Sequence, residues 1–167
     1  MAIHEHKKGV GKARCFVITV SDTRDETTDR SGAAIREALL AGGHDLSGYA
    51  IVRDEPEEIE AALKKAIAGV DTDVVILNGG TGIAPRDGTY EIVVRSLDKR
   101  LDGFGELFRY LSYKDIGSAA MMSRAVAGTI GEHVVFSLPG STGAVRLAMD
   151  KLILPEIGHM VSQVKGK

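Results

Sequence analysis

Short apolar runs rich in β-branched residues alternate along this chain with stretches whose apolar residues recur at helical spacing. That alternation limits the fold more than any other feature. Arg14 to Val20, Gly48 to Val52, Asp73 to Leu77, Ala125 to Thr129 and His133 to Leu138 read as strands. Ile35 and Leu39 mark a helix ending near Gly42-Gly43, and Ile59, Leu63 and Ile67 mark a second, opening on Pro56-Glu57-Glu58 at its positive dipole end. Thr89 is expected to cap a helix carrying Ile92, Val93 and Leu97, and Phe104, Leu107, Phe108 and Leu111 share a face of the next. Val145, Met149 and Leu152 predict another helix, with a short one over Leu154 to Val164 and a frayed Gly166-Lys167 end. Strands alternating with helices imply βαβ units, so the expected fold is α/β: one three-layer domain over residues 13–165, its largely parallel central sheet covered by helices on both faces.

At 167 residues the chain suits one core rather than two. The 21 basic and 23 acidic residues nearly cancel, which leaves no broad field for nucleic acid or an anionic membrane. No apolar stretch approaches the roughly 18 residues of a membrane span. The first 12 residues have neither a signal core nor a cleavage pattern and read as a flexible tail, so cytoplasm is the expected location. His4 and His6 in that tail read as part of a mobile terminus rather than as metal ligands. Cys15, the only cysteine, excludes an intrachain disulfide and reads as a small hydrophobe inside the first strand.

In an open parallel sheet, ligands sit at the C-terminal ends of the strands. Ser21-Asp22, Asp54-Glu55, the segment 79–87 and Pro139-Gly140-Ser141-Thr142 all fall at such ends and should converge. Gly79-Gly80-Thr81-Gly82 places three residues without Cβ where the chain turns, so its backbone can approach a phosphate or a polar heterocycle. One glycine would serve a plain turn. No Gly-Lys-Ser/Thr follows, and Pro85 stands where a dinucleotide fingerprint needs a third small residue, so both common nucleotide motifs are disfavoured. Carboxylates beside an anion loop suggest Mg²⁺, for which Asp54 and Asp87 are the candidates. A helix cap or a solvated acid is the stronger reading of Asp54 from the residues alone, because it opens the acidic run 54–58, and the weaker one of Asp87, immediately behind Arg86 and the glycine loop. Arg86 and Arg124 are candidate bidentate clamps for anionic oxygens. Ser141 suits an anion site at a helix N-terminus or an ordinary N-cap.

The same residues resemble the molybdenum cofactor biosynthesis proteins of the MoaB/MogA type, relatives of the gephyrin domain of animals and its plant counterpart. The matching pieces are Ser21-Asp22-Thr23, Asp29-Arg30-Ser31-Gly32, Asp54-Glu55, Gly79-Gly80-Thr81-Gly82, Pro85-Arg86-Asp87, Gly103-Phe104-Gly105-Glu106, Met122-Ser123-Arg124-Ala125 and Leu138-Pro139-Gly140-Ser141. No one piece is decisive, but their order and spacing cover nearly the whole chain, and 103–128 looks closest to the MoaB branch. The resemblance implies adenylylation of molybdopterin by ATP with Mg²⁺. It carries the two catalytic aspartates onto Asp54 and Asp87, also the implied metal ligands. It carries substrate binding onto Gly79, Gly80, Thr81, Gly82, Pro139 and Gly140, with Ser21, Asp22, Ser123 and Arg124 alongside. Arg86, Glu91 and Ser141 complete the expected binding set. It also implies a homotrimer or homohexamer, with other molybdenum cofactor enzymes as partners. A molybdopterin carrier without catalysis, or an oligomeric scaffold, would use the same loops. Where the family continues with Thr-Pro-Glu, this chain has Thr89-Tyr90-Glu91, from which a small change at the helix start is expected.

Overall fold

A computed structural model describes residues 11–166. Residues 1–10, with His4 and His6 and most of the expected tail, and Lys167 lie outside the described residues. The six strands are β1 (Arg14–Val20), β2 (Asp45–Val52), β3 (Val74–Asn78), β4 (Lys99–Arg100), β5 (Val126–Ile130) and β6 (His133–Leu138), ordered β2-β1-β3-β6-β5-β4. The helices are α1 (Arg30–Ala41), α2 (Pro56–Ala68), α3 (Thr89–Ser96), α4 (Asp102–Ile116), α5 (Thr142–Ala148) and α6 (Leu154–Val164), with a 3₁₀ segment over Gly117–Met122.

Side chains alternate across β3 and divide the core in two. Val74 and Ile76 face a layer containing Ile35, Leu39, Phe104, Phe108, Val145 and Ile157. Val75 and Leu77 face the opposite layer, with Ile59, Leu63, Ile92 and Val93. β1, β2, β3 and β6 run parallel, whereas β5 pairs antiparallel with both β4 and β6. The expected three-layer α/β domain is what forms, with an antiparallel edge. Gly131 (φ 54°) and Glu132 leave only two residues between β5 and β6, which permits a hairpin but no crossover.

Four local features depart from the sequence reading. β2 begins at Asp45, three residues before Gly48, because Gly48 lies inside the strand under the Phe16 ring; a Cβ there would press on that ring. The two-residue β4 is too short for a pattern to show. Leu107 is exposed on α4 while Phe104 and Phe108 are buried, so the predicted apolar face is only partly core. A π turn over Met149–Ile153 joins α5 to α6 directly before Pro155, whose missing N–H interrupts the regular ladder. Cys15 is fully buried, and burial pushes its thiol up to about 12.

Candidate functional site

Four parallel strands bring their C-terminal ends to one edge of the sheet, and the chain ordering reverses at β1 between its neighbours β2 and β3. Such a reversal opens a crevice there. Ser21-Asp22 leaves β1, Asp54-Glu55 follows β2, 79–87 follows β3 and Pro139-Gly140 follows β6, so the four predicted segments meet.

The glycine loop is built by close approach. Gly79 (φ 96°) and Gly80 (φ 65°) both hold left-handed backbone, which other residues adopt only at a cost. A Cβ on Gly79 would collide with the Val20 carbonyl oxygen; one on Gly80 would collide with Thr89 Oγ1 and itself lie 2.9 Å from Asp54 Oδ2. A Cβ on Gly82 would lie 2.5 Å from Asp87 Oδ2, and Gly140 leaves room for the Gly79 Cα. The Gly79 N–H donates to the Leu138 carbonyl at 3.0 Å and the Thr89 N–H to the Gly80 carbonyl at 3.0 Å. Thr89 therefore is not the cap of α3. Gly88 takes that position, and the Thr89 hydroxyl faces the loop, buried and without a hydrogen-bond partner.

Asp54 is buried, unlike its neighbours in the acidic run. Its N–H donates to Asp22 Oδ1 at 3.1 Å, and its Oδ1 is buried with no hydrogen-bond partner among the described residues. Burial raises its pKa; the Gly88 N–H opposes the rise, the Asp87 and Asp22 carboxylates add to it, and Arg86 opposes it. The Asp87 carboxylate accepts the Ala84 N–H at 3.1 Å. Among the described residues no group of three or more His, Cys, Asp or Glu side chains forms a metal cage. Two carboxylates, one with an orphaned oxygen, nonetheless suit Mg²⁺ held jointly by protein and substrate phosphates.

The two predicted clamps are engaged by the protein itself, a departure from the sequence expectation. Arg86 Nε donates to Asp22 Oδ2 at 2.7 Å and Nη2 to Glu55 Oε1 at 2.9 Å. Its guanidinium holds the Asp22 carboxyl below the usual range. Arg124 Nε donates to the Thr81 carbonyl at 2.9 Å, Nη2 to the Gly82 carbonyl, and both Nη atoms to Glu91. Its guanidinium also lies 4.9 Å from the Tyr90 ring centroid, so the residue replacing the family's proline supports the arginine that braces the loop. Ser21 Oγ accepts from the Thr23 and Arg24 N–H groups, and Ser141 is an N-cap that accepts from Ala144 N–H at 3.2 Å.

Two adjoining cavities flank the loop. One, of about 440 Å³, is lined by Ser21, Arg24, residues 79–82, Met122, Ser123 and Gly140. The other, of about 450 Å³, is lined by Pro56, Ile83, Asp87, Glu91 and Arg124. Arg24 escaped the sequence reading, which singled out only Ser21, Asp22 and Thr23 directly after the first strand. Also missed was the buried chain beneath it, in which Asn78 Nδ2 donates to Thr19 Oγ1 (2.9 Å), and Thr19 Oγ1 and the Tyr49 hydroxyl donate to Asp29 Oδ2 (2.6 Å each). Only the Asp29-Arg30-Ser31-Gly32 motif signalled it: Asp29 caps α1 through the Gly32 N–H, and a Cβ on Gly32 would collide with its carboxylate.

Known proteins share this sequence pattern and fold. The family described as a probable molybdopterin binding domain matches residues 16–159. Molybdenum cofactor biosynthesis protein B of Bacillus cereus is 55% identical over 166 residues, covering 98% of each chain. Its namesake in Bacillus subtilis is 50% identical over 167 residues, with 99% of this chain and 98% of that one covered. A crystal structure of a molybdenum cofactor biosynthesis protein B, 53% identical, superposes with a TM-score of 0.93 over 96% of this chain and 100% of the other. The tungsten cofactor synthesizing protein MoaB from Pyrococcus furiosus, 40% identical, gives 0.83 over 92% and 98%. With the domain matched along most of its length and its relatives aligned nearly end to end, this chain belongs to the molybdenum cofactor biosynthesis protein B family.

Proposed function

We propose that this chain is a molybdopterin adenylyltransferase. An oxygen of the molybdopterin phosphate attacks the α-phosphorus of ATP, a new P–O bond forms, the bond to the bridging oxygen breaks, and pyrophosphate leaves. The observation that carries this reading is the orphaned, buried Asp54 carboxylate oxygen beside Asp87 at the glycine loop. Burying an acid among other acids is costly without a compensating cation. Asp54 and Asp87 would hold Mg²⁺, which when bound supplies charge neutralisation between two anionic reactants. The residues 79–82 and Gly140 let substrate approach the backbone closely, and Arg124 keeps the loop in shape. The gain comes from placement and electrostatics rather than from a covalent intermediate. The cytoplasm supplies both substrates, and assembly is into a homotrimer or homohexamer. Exposed Tyr110, Tyr113, Ile116 and Met121 along α4 and the 3₁₀ segment support the latter, and light scattering tests it.

Pyrophosphate release from ATP, Mg²⁺ and molybdopterin is the direct assay. Asp87→Asn should abolish release while molybdopterin still binds; wild-type protein that binds both substrates and releases none would defeat the proposal. The engagement of Arg86 and Arg124 by Asp22, Glu55 and Glu91 favours a second reading, a carrier that presents molybdopterin to other cofactor enzymes. Equal binding by wild type and Asp87→Asn, with turnover in neither, would select it.

A further inference from the structure

With Arg86 and Arg124 committed to carboxylates, a charge is still needed where an anionic substrate meets the glycine loop. Among the described residues, Arg24 is the only charged side chain lining the cavity formed by 79–82 and Gly140. Its position is built rather than incidental. Ser21 Oγ accepts the Arg24 N–H at 3.1 Å and fixes the turn that carries it. Nη1 and Nη2 each donate to the Gly140 carbonyl at 3.2 Å, and Ser31 Oγ donates to the same oxygen at 2.7 Å. Asp29 Oδ1 lies 3.8 Å from Nη1, and the Asp29 carboxylate is fully buried, anchored by Thr19, Tyr49 and Gly32. The Arg24 side chain is one-third exposed, so solvent and ligand reach it.

The directions of these bonds decide the matter. Both bonds to Gly140 use the end of the guanidinium, and Asp29 lies on the Nη1 side. Nε makes no hydrogen bond among the described residues, and Nη2 gives Gly140 only one of its two N–H groups, so the Nε–H and the Nη2–H beside it are left to take two oxygens of a phosphate in parallel. Ala119 and Met122 also line the cavity, giving it apolar surface for the body of a heterocycle.

We infer that Arg24 receives the phosphate of the phosphorylated substrate through its Nε–Nη2 edge and sets the preference for phosphorylated over unphosphorylated pterin. The inference rests on the proposed reading of the site for the identity of the ligand, but not for its charge. A merely structural Arg24, holding the Gly140 carbonyl, would affect both pterins alike.

The test is equilibrium binding of molybdopterin and of dephosphorylated molybdopterin to wild type, Arg24→Lys and Arg24→Gln, each with a melting curve. Loss of a charge-assisted phosphate contact is expected to weaken molybdopterin binding about 10- to 100-fold in Arg24→Gln, leaving the dephosphorylated ligand within about 3-fold. Arg24→Lys should recover part of the loss, since it keeps the charge without the fork. Equal losses for both ligands, or none for either, overturn the inference while leaving the molybdopterin reading intact. If wild type binds neither pterin, that reading fails and inorganic pyrophosphate becomes the probe. Binding that Arg24→Gln abolishes then upholds the phosphate assignment, and binding unchanged or absent from wild type overturns it.

Discussion

Gly80 and Gly82 stand two residues apart in one loop, yet the structure predicts opposite consequences for replacing them with alanine. At Gly80 the backbone is left-handed, and holding an alanine there costs about 1–2 kcal/mol. The new methyl also collides with the buried Thr89 hydroxyl and crowds Asp54 Oδ2 at 2.9 Å, an overpacking that costs about 1–3 kcal/mol. Alanine's stiffer unfolded chain returns about 0.4–1 kcal/mol. The net destabilisation is about 1–4.6 kcal/mol, which at about 2–4 °C per kcal/mol lowers the melting temperature of a chain this size by about 2–18 °C. At Gly82 the φ is not positive, and the methyl meets only the Asp87 carboxylate, at 2.5 Å, whose side chain can swing away. Its bond to the Ala84 N–H would be lost, about 0.5–1.5 kcal/mol, against a similar entropic return. Stability should stay within about 1 kcal/mol of wild type. On the proposed reading of the site, displacing Asp87 should cut turnover on the order of 100-fold, the effect of a misplacement of about 1 Å. Thermal unfolding and pyrophosphate release, measured on both variants, separate the two effects. A Gly80→Ala protein as stable as wild type, or a Gly82→Ala protein less stable than Gly80→Ala, would refute this account of the loop.

Two further substitutions probe the buried charges by pH. The Asp54 pKa is raised in the folded chain, so between its unfolded and folded values the native state binds more protons than the unfolded state, and stability is lost as pH rises. Asp54→Asn should therefore be at least as stable as wild type at pH 7 and, on the proposed reading of the site, inactive; its relative advantage should shrink as pH falls through the raised folded value and be gone below the unfolded value of about 3.9, and a variant less stable at pH 7 than at pH 3, relative to wild type, would contradict this. Asp73 behaves oppositely. Burial alone would raise its pKa, but hydrogen bonds from Arg14, with Nε at 3.1 Å and Nη2 at 2.9 Å, and from Lys165 hold it well below the carboxylate range. Its contribution is present above the ordinary carboxylate pKa and lost as pH falls through the depressed value. Asp73→Ala should cost about 2–4 kcal/mol in urea unfolding at pH 7, less than a wholly buried pair because Arg14 and Lys165 are partly exposed, and the difference should narrow in acid.

The architecture and much of the site's location could be read from the sequence because both rest on local signals. The β-branched run over 74–77 with glycines behind it is a strand end whatever surrounds it, and four such ends on parallel strands must share an edge. The electrostatic roles were not legible, for they depend on partners distant in sequence. Arg86 looked like an anion clamp, but Asp22 lies 64 residues away and Glu55 lies 31 residues away, and both capture it. Asp54 looked like one solvated acid in a run of acids, and only the fold shows it buried against the loop with an unpartnered oxygen. Arg24 carried no signal in a polar stretch, because its significance comes from Gly140, 116 residues away. The pattern has a physical cause. Hydrophobic periodicity reports on the next few residues, whereas the net charge offered to a ligand is the difference between opposing groups brought together from every strand end. Here that difference leaves Arg24 in the cavity on one side of the glycine loop and the Asp87 carboxylate in the cavity on the other, with Asp54 buried against Gly80. On the proposed reading, an anionic substrate and a cation-bridged co-substrate would approach a single turn from opposite flanks and meet across it, as an in-line transfer between two phosphorylated reactants requires.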